Sequence, residues 1–185
     1  MALLKAKGAV SCFRLSLALV LAIRVIAGES APPLDEYHVK AAFLYNFARF
    51  VDWPTEAFRD PGEPFSICVI GEDPFGRSLD DVVAGKAIGG RPVAVRRISN
   101  ARQPGACQVL FVGSAADKHV LSVLESSKSG VLTIGDAANS TSGEVIIRFT
   151  MENEKIRFEI NTVAADRALL HISSKLLSLA QGGRR

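Results

Sequence analysis

The residue types that could do chemistry in this chain are scattered, and few stand at spacings that a reaction requires. His38, His119 and His171 fall on three separate helical segments. A structural zinc site wants four ligands and a catalytic one three, so solvated or capping histidines and no metal site are expected. Asp80 and Asp81 form a carboxylate pair on a helical stretch. Adjacent helical positions point about 100° apart, however, and do not converge on one substrate. Ser173-Ser174-Lys175 sets a serine near a lysine, a pattern that a helix-start cap explains at least as well. The chain has no Gly-x-Ser-x-Gly elbow, no phosphate-cradling glycine loop ending in Lys-Ser/Thr, and no Gly-x-Gly-x-x-Gly after a strand. The turn Gly71-Glu72-Asp73-Pro74-Phe75-Gly76 leads from a strand into a helix and could hold an anion at the helix start. Its acidic pair would repel that anion and Pro74 removes one amide donor, so a plain strand-to-helix turn is expected. These absences point away from an enzyme and from a bound cofactor.

Charge and cysteine content set the compartment. Lys5 and Lys7 precede an apolar run from Leu15 to Ile23 and small residues around Val25-Ile26-Ala27, the layout of a secretory signal peptide cleaved after Ala27. The run is shorter than the ~20 apolar residues that a bilayer span needs, and an uncleaved anchor is the alternative. All four basic residues before position 28 belong to this segment, which leaves 18 basic against 19 acidic residues, about −1, in the mature part. The basic balance of the whole chain therefore gives no support for nucleic-acid binding. Cys12 leaves with the signal, and the mature chain keeps Cys68 and Cys107. Two cysteines in an exported chain suggest one disulfide, with two separate buried thiols as the alternative.

The elements that must position these groups read as follows. Residues 28 to 185 are the size of one domain. Phe65-Ser66-Ile67-Cys68-Val69-Ile70-Gly71 is a short apolar run bounded by turn residues, hence a strand buried on both faces. Before it, Asp35 caps a helix from Glu36 with Val39, Phe43, Phe47, Phe50 and Val51 in one stripe, stopped by Trp53-Pro54. That aromatic stripe is either core or the wall of a ligand pocket. A helix over 75–84 turns Leu79, Val82 and Val83 inward, and Pro92-Val93-Ala94-Val95-Arg96 is the next strand. Val109-Leu110-Phe111-Val112-Gly113, a helix over 117–126, and Gly130-Val131-Leu132-Thr133-Ile134-Gly135 continue the alternation. Strand and helix alternating at this spacing give parallel βαβ units. Strands over 144–149 and 155–160 around Glu152-Asn153-Glu154 form a hairpin, and helical turns over 162–170 and 173–180 close the chain. The fold class is α/β: a single domain with a mixed, mostly parallel sheet, a C-terminal antiparallel hairpin and flanking helices.

Arg91, Arg96, Arg97 and Arg102 form the densest basic group. Arg91 and Arg97 share parity and emerge on one face if the strand runs between them without a bulge. They are either a solvated edge guarded by charge or a docking patch for an acidic partner.

The run from Val39 through Trp53-Pro54, then Ile67-Cys68-Val69-Ile70-Gly71, Cys107-Gln108-Val109-Leu110-Phe111-Val112-Gly113, Val131-Leu132-Thr133-Ile134-Gly135-Asp136, Arg157-Phe158-Glu159-Ile160-Asn161 and Leu176-Leu177-Ser178-Leu179-Ala180 resembles the YfiR/HmsC-like periplasmic proteins. The resemblance spans nearly all of the mature chain. It implies a periplasmic repressor that binds the periplasmic portion of an inner-membrane diguanylate cyclase, lowering cyclic di-GMP and biofilm formation. It also implies release by an outer-membrane lipoprotein or by redox stress, and it admits a homodimer. By the same likeness Cys68 and Cys107 match the family's cysteine pair. The better-known member's second disulfide has no counterpart here between Asn139 and Phe149. Glu159 and Arg167 match positions near the lipoprotein-binding surface, and period two puts Glu159 on the face opposite Phe158 and Ile160. A periplasmic small-molecule sensor using Phe43, Phe47 and Trp53 is the rival reading. If Gly71 and Gly113 are level on adjacent parallel strands, Cys68 and Cys107 are offset by about 10 Å at ~3.3 Å per residue, beyond disulfide reach unless Cys107 lies on a lead-in.

Overall fold

The long apolar runs become the centre of a seven-stranded sheet, as their length and composition require. The computed structural model describes residues 34–98, 107–114, 130–137 and 145–181. The leader, Arg102, His119 and the helix expected over 117–126 lie outside them. In chain order the elements are α1 (Leu34–Arg49), β1 (Val51–Asp52), a 3-10 turn (Thr55–Ala57), β2 (Phe65–Ile70), α2 (Arg77–Val83), β3 (Ala87–Ile88), β4 (Arg91–Ile98), β5 (Val109–Val112), β6 (Leu132–Asp136), β7 (Ile147–Glu152), β8 (Lys155–Ile160), α3 (Thr162–Arg167), β9 (His171–Ile172) and α4 (Ser174–Leu177).

The sheet order is β3-β4-β2-β5-β6-β7-β8. The pairs β4–β2, β2–β5, β5–β6 and β6–β7 are parallel, while β3–β4 and β7–β8 are antiparallel. The mixed, mostly parallel sheet with a terminal hairpin is therefore present, with a short antiparallel strand also added at the other edge. Read across its parallel part, the sheet has the 2-1-3-4-5 order, in which the progression of strand order reverses between β2 and β5.

Period two divides the side chains between the faces. Phe65, Ile67 and Val69, Val109 and Phe111, Leu132 and Ile134, Ile147 and Phe149, and Phe158 and Ile160 pack with the buried residues of α1 and α2 in one core. Cys68, Ile70, Ile98, Leu110, Val112 and Val145 form a smaller one with Cys107 on the opposite face. Leu79, Val82 and Val83 are buried as their spacing requires. On α1 the buried set is Lys40, Ala41, Leu44, Phe47 and Ala48, so the stripe is rotated from the one that the phenylalanines suggest.

Several boundaries differ from the sequence reading. Helix α1 begins at Leu34, which puts Asp35 inside its first turn. It ends at Arg49, ahead of Trp53-Pro54, because Val51 and Asp52 pair antiparallel with Ile172 and His171. That small second sheet also interrupts the C-terminal helical stretch. The hairpin pairs Glu152 with Lys155, and Asn153 and Glu154 both take positive φ (49° and 61°), the geometry of a two-residue primed turn.

Candidate functional site

Three features of the described residues bear on function: the place where this topology usually takes a ligand, a buried ion cluster beside it, and the exposed face of the hairpin that carries Glu159.

In open α/β sheets ligands sit beyond the carboxyl ends of the strands at the point where strand order reverses. Here that point, between β2 and β5, is closed by the backbone. The Gly113 N–H donates to Ile70 O at 2.8 Å and the Glu72 N–H to Ser114 O at 2.9 Å, while Ser114 Oγ donates to the Glu72 carboxylate. A Cβ on Gly113 would overlap the Glu72 carbonyl oxygen, so glycine is what lets the two loops meet. The rest of the turn is equally committed. The Phe75 N–H donates to Asp73 Oδ1 at 2.8 Å, and Arg97 holds Asp73, Asp80 and the Gly76 carbonyl at 2.6–3.2 Å. Those carboxylates hold the Arg97 guanidinium above its usual range, and the hydrogen bond from Arg97 keeps the Asp80 carboxyl below its own. The Glu72, Phe75 and Ser78 amides of this turn are thus committed within the protein.

Beside this closed crevice lies a cluster that a search for apolar periodicity passes over. Asp136 ends β6 with the parity of Leu132 and Ile134, so its side chain faces α1. Lys40 meets it there. The ammonium donates to Asp136 Oδ2 and to Glu36 Oε1 at 2.6 Å, under the Tyr37 ring at 4.8 Å and near Phe149 at 5.7 Å. Lys40 is 1 % exposed and Asp136 4 %. Burial alone would push the Lys40 ammonium down, but its hydrogen bonds to Asp136 and Glu36 more than offset this and hold it above 10.5. Burial likewise raises the Tyr37 hydroxyl. The signals were present in sequence as a Glu36–Lys40 spacing of one helical turn and as the parity of Asp136.

The remaining candidates distribute as follows. Cys68 and Cys107 are joined in a disulfide with a Cα–Cα separation of 5.8 Å. The register is the one inferred, since Ile70 is level with Val112 and Cys68 with Leu110. Cys107 reaches Cys68 because it precedes β5, with a bend at Gln108 taking it off the line of the strand. Buried Gln108 secures that corner: its side chain accepts from the Ser66 N–H at 2.8 Å and donates to Ala57 O at 2.6 Å. Glu159 is exposed on the face opposite α1, level with Arg148 across the hairpin. Arg167 is exposed in the last turn of α3, the helix that Asn161 caps through the Ala164 N–H at 3.0 Å.

The aromatic stripe is core. Phe43 and Phe47 stack at 5.6 Å and meet Phe149 and Phe158 at 4.8–6.0 Å, and Trp53 sits edge-on to Phe65 at 5.1 Å. Two members of the arginine group are engaged within the protein. Arg91 donates to the Asp60 and Glu63 carbonyls and lies 4.0 Å from the Phe58 ring centre, Arg97 braces the turn described above, and Arg96 falls on the other face. Ser173 is a helix cap, accepting from the Leu176 N–H at 3.3 Å. His38 and His171 are exposed on α1 and β9, and among the described residues no group of three or more His, Cys, Asp or Glu could hold a metal ion. Nor is any helix among them long and apolar enough to cross a membrane.

A mostly parallel α/β sheet whose usual ligand crevice is shut by its own backbone is held together by a disulfide and an internal ion cluster. The match to a family model covers residues 37–181, described as YfiR/HmsC-like, and the chain belongs to that family. Comparison with the curated proteins gives no match.

Proposed function

We propose that this protein is an exported, periplasmic regulator that works by contact: it binds the periplasmic portion of an inner-membrane diguanylate cyclase, keeps cyclic di-GMP synthesis low and restrains biofilm formation. The observation that carries this reading is membership of the YfiR/HmsC-like family over nearly the whole mature length. The geometry agrees with it. The crevice between β2 and β5 is filled by Glu72, Gly113 and Ser114, and the rings that could have lined a pocket are packed into the core. Among the described residues, what remains available for recognition is the surface.

In this reading residues 1–27 direct export and are removed. Glu159 and Arg167, both exposed, are contact residues at the hairpin and α3, and an outer-membrane lipoprotein competes for the same surface. The purified mature chain, immobilised and exposed to detergent-solubilised membranes of its own host, is expected to retain a membrane protein carrying a diguanylate cyclase domain, and to release it in excess free mature chain. Recovery of no cyclase from membranes that contain one would refute the proposal.

A further inference from the structure

The end of α3 carries an unexplained expense. Helix α3 closes with the paired hydrogen bonds of a Schellman motif: the Leu170 N–H donates to Ala165 O and the Leu169 N–H to Asp166 O, both at 3.0 Å. The residue at the turn of that motif must be left-handed and is usually glycine. This chain uses glycine for positive φ at Gly71, Gly85 and Gly130, yet places Leu169 here with φ 56°. A branched aliphatic residue is a marked outlier in this region, and its conformation costs about tenfold in the folding equilibrium. Burial does not compensate. Leu170 beside it is 2 % exposed and anchors the motif inward, while Leu169 is 64 % exposed, the most exposed large hydrophobic residue among those described.

Backbone strain combined with an exposed aliphatic side chain is what a binding anchor looks like before its partner arrives. We infer that Leu169 is such an anchor, inserting into an apolar recess with an acidic rim on the periplasmic portion of the regulated cyclase. The surroundings specify that rim. Arg167 and His171 flank Leu169 in the chain and both are exposed. Val163, 46 % exposed, shares a helix face with Arg167 at one-turn spacing. Exposed Asp166 lies among them, so the basic side of this apolar centre is the Arg167 and His171 edge, and that edge selects a partner of opposite charge. This inference rests on the regulator reading above and assigns its contact surface a centre.

The test replaces Leu169 in a host strain lacking the gene and measures cyclic di-GMP, with the periplasmic amount of each variant checked by immunoblot. Leu169→Gly relieves the strain and removes the anchor. Its folding equilibrium constant is expected to rise about fivefold in urea titration, while it fails to bring cyclic di-GMP down. Leu169→Asn, which tolerates the left-handed region, is expected to fail likewise, and Leu169→Met, which keeps an apolar side chain, to restore repression. Full repression by Leu169→Gly would overturn the anchor, and a folding equilibrium no better than wild type would overturn the strain on which it stands. If the wild-type gene itself left cyclic di-GMP unchanged, the regulator reading would fall first and take this inference with it.

Discussion

Removing either partner of the Lys40–Asp136 pair should be the most damaging single charge change available in the described structure. Both groups are almost fully out of water, at 1 % and 4 % exposure. Taking away one leaves the other charged in a low-dielectric site, a penalty of about 3–5 kcal/mol. Lys40→Met keeps the apolar stem against Tyr37 and Phe149 while leaving Asp136 and Glu36 without their cation, so it should fall in the middle of that range. Asp136→Asn leaves the ammonium with Glu36, whose side chain is 29 % exposed, and should cost about 3 kcal/mol. The double variant Lys40→Met/Asp136→Leu removes both charges and fills the space, and should return to within ~1 kcal/mol of wild type, a coupling of roughly 3 kcal/mol or more. Urea denaturation of the mature chain at neutral pH measures all three. The alkaline limb gives an independent reading. Because the folded-state pKa of Lys40 is raised above 10.5, its contribution is complete below that value and is lost as pH climbs through the higher folded value. Wild type should therefore lose stability there faster than Lys40→Met does. Single variants costing under 1 kcal/mol each, with additive effects, would mean that the cluster behaves as a solvated surface pair and would refute the reasoning.

Two further outcomes follow from the same structure. The Cys68–Cys107 bridge closes a loop with a sequence separation of 39, which in the chain-entropy description is worth about 4 kcal/mol; replacing both cysteines with serine should lower the urea-extrapolated stability by ~2–4 kcal/mol, and with both sulfurs buried, reductant should cleave the bridge no faster than the native state opens. Gly113→Ala should cost ~2–4 kcal/mol in the same titration, since the new methyl collides with the Glu72 carbonyl, which is backbone and cannot swing aside; an unchanged midpoint would show that the two loops are not held together there.

Much of the fold is legible because buried parallel strands must be continuous and apolar. Phe65–Ile70 and Val109–Val112, buried throughout, announce themselves by composition alone, and the alternation in Lys155–Ile160 announces an edge strand with one wet face. The errors fall where that logic has no purchase. Two-residue strands such as Val51–Asp52 and His171–Ile172 are too short to show a period and exist only through their pairing. The stripe of α1 was displaced because its centre is a lysine: a scale that rewards apolar side chains selects half-buried Phe43 and Phe50 and skips Lys40, whose burial depends on an aspartate distant in sequence. The cysteine offset follows correctly from register, and the one way around it that register allows, Cys107 on a lead-in ahead of β5, is the one the chain takes. Glu159 and Arg167 illustrate the opposite limit. Their exposure follows from parity and helix position, but what they touch depends on another molecule.

The central claim, that this scaffold acts by holding a membrane cyclase inactive, is tested most directly by cyclic di-GMP itself. Its cellular concentration should be measured in the host, in a strain lacking the gene, and in that strain carrying either the full chain or a version without residues 1–27. The concentration should rise on deletion and return to normal only with the exported form; equal concentrations in all four strains, or rescue by the form confined to the cytoplasm, would contradict it.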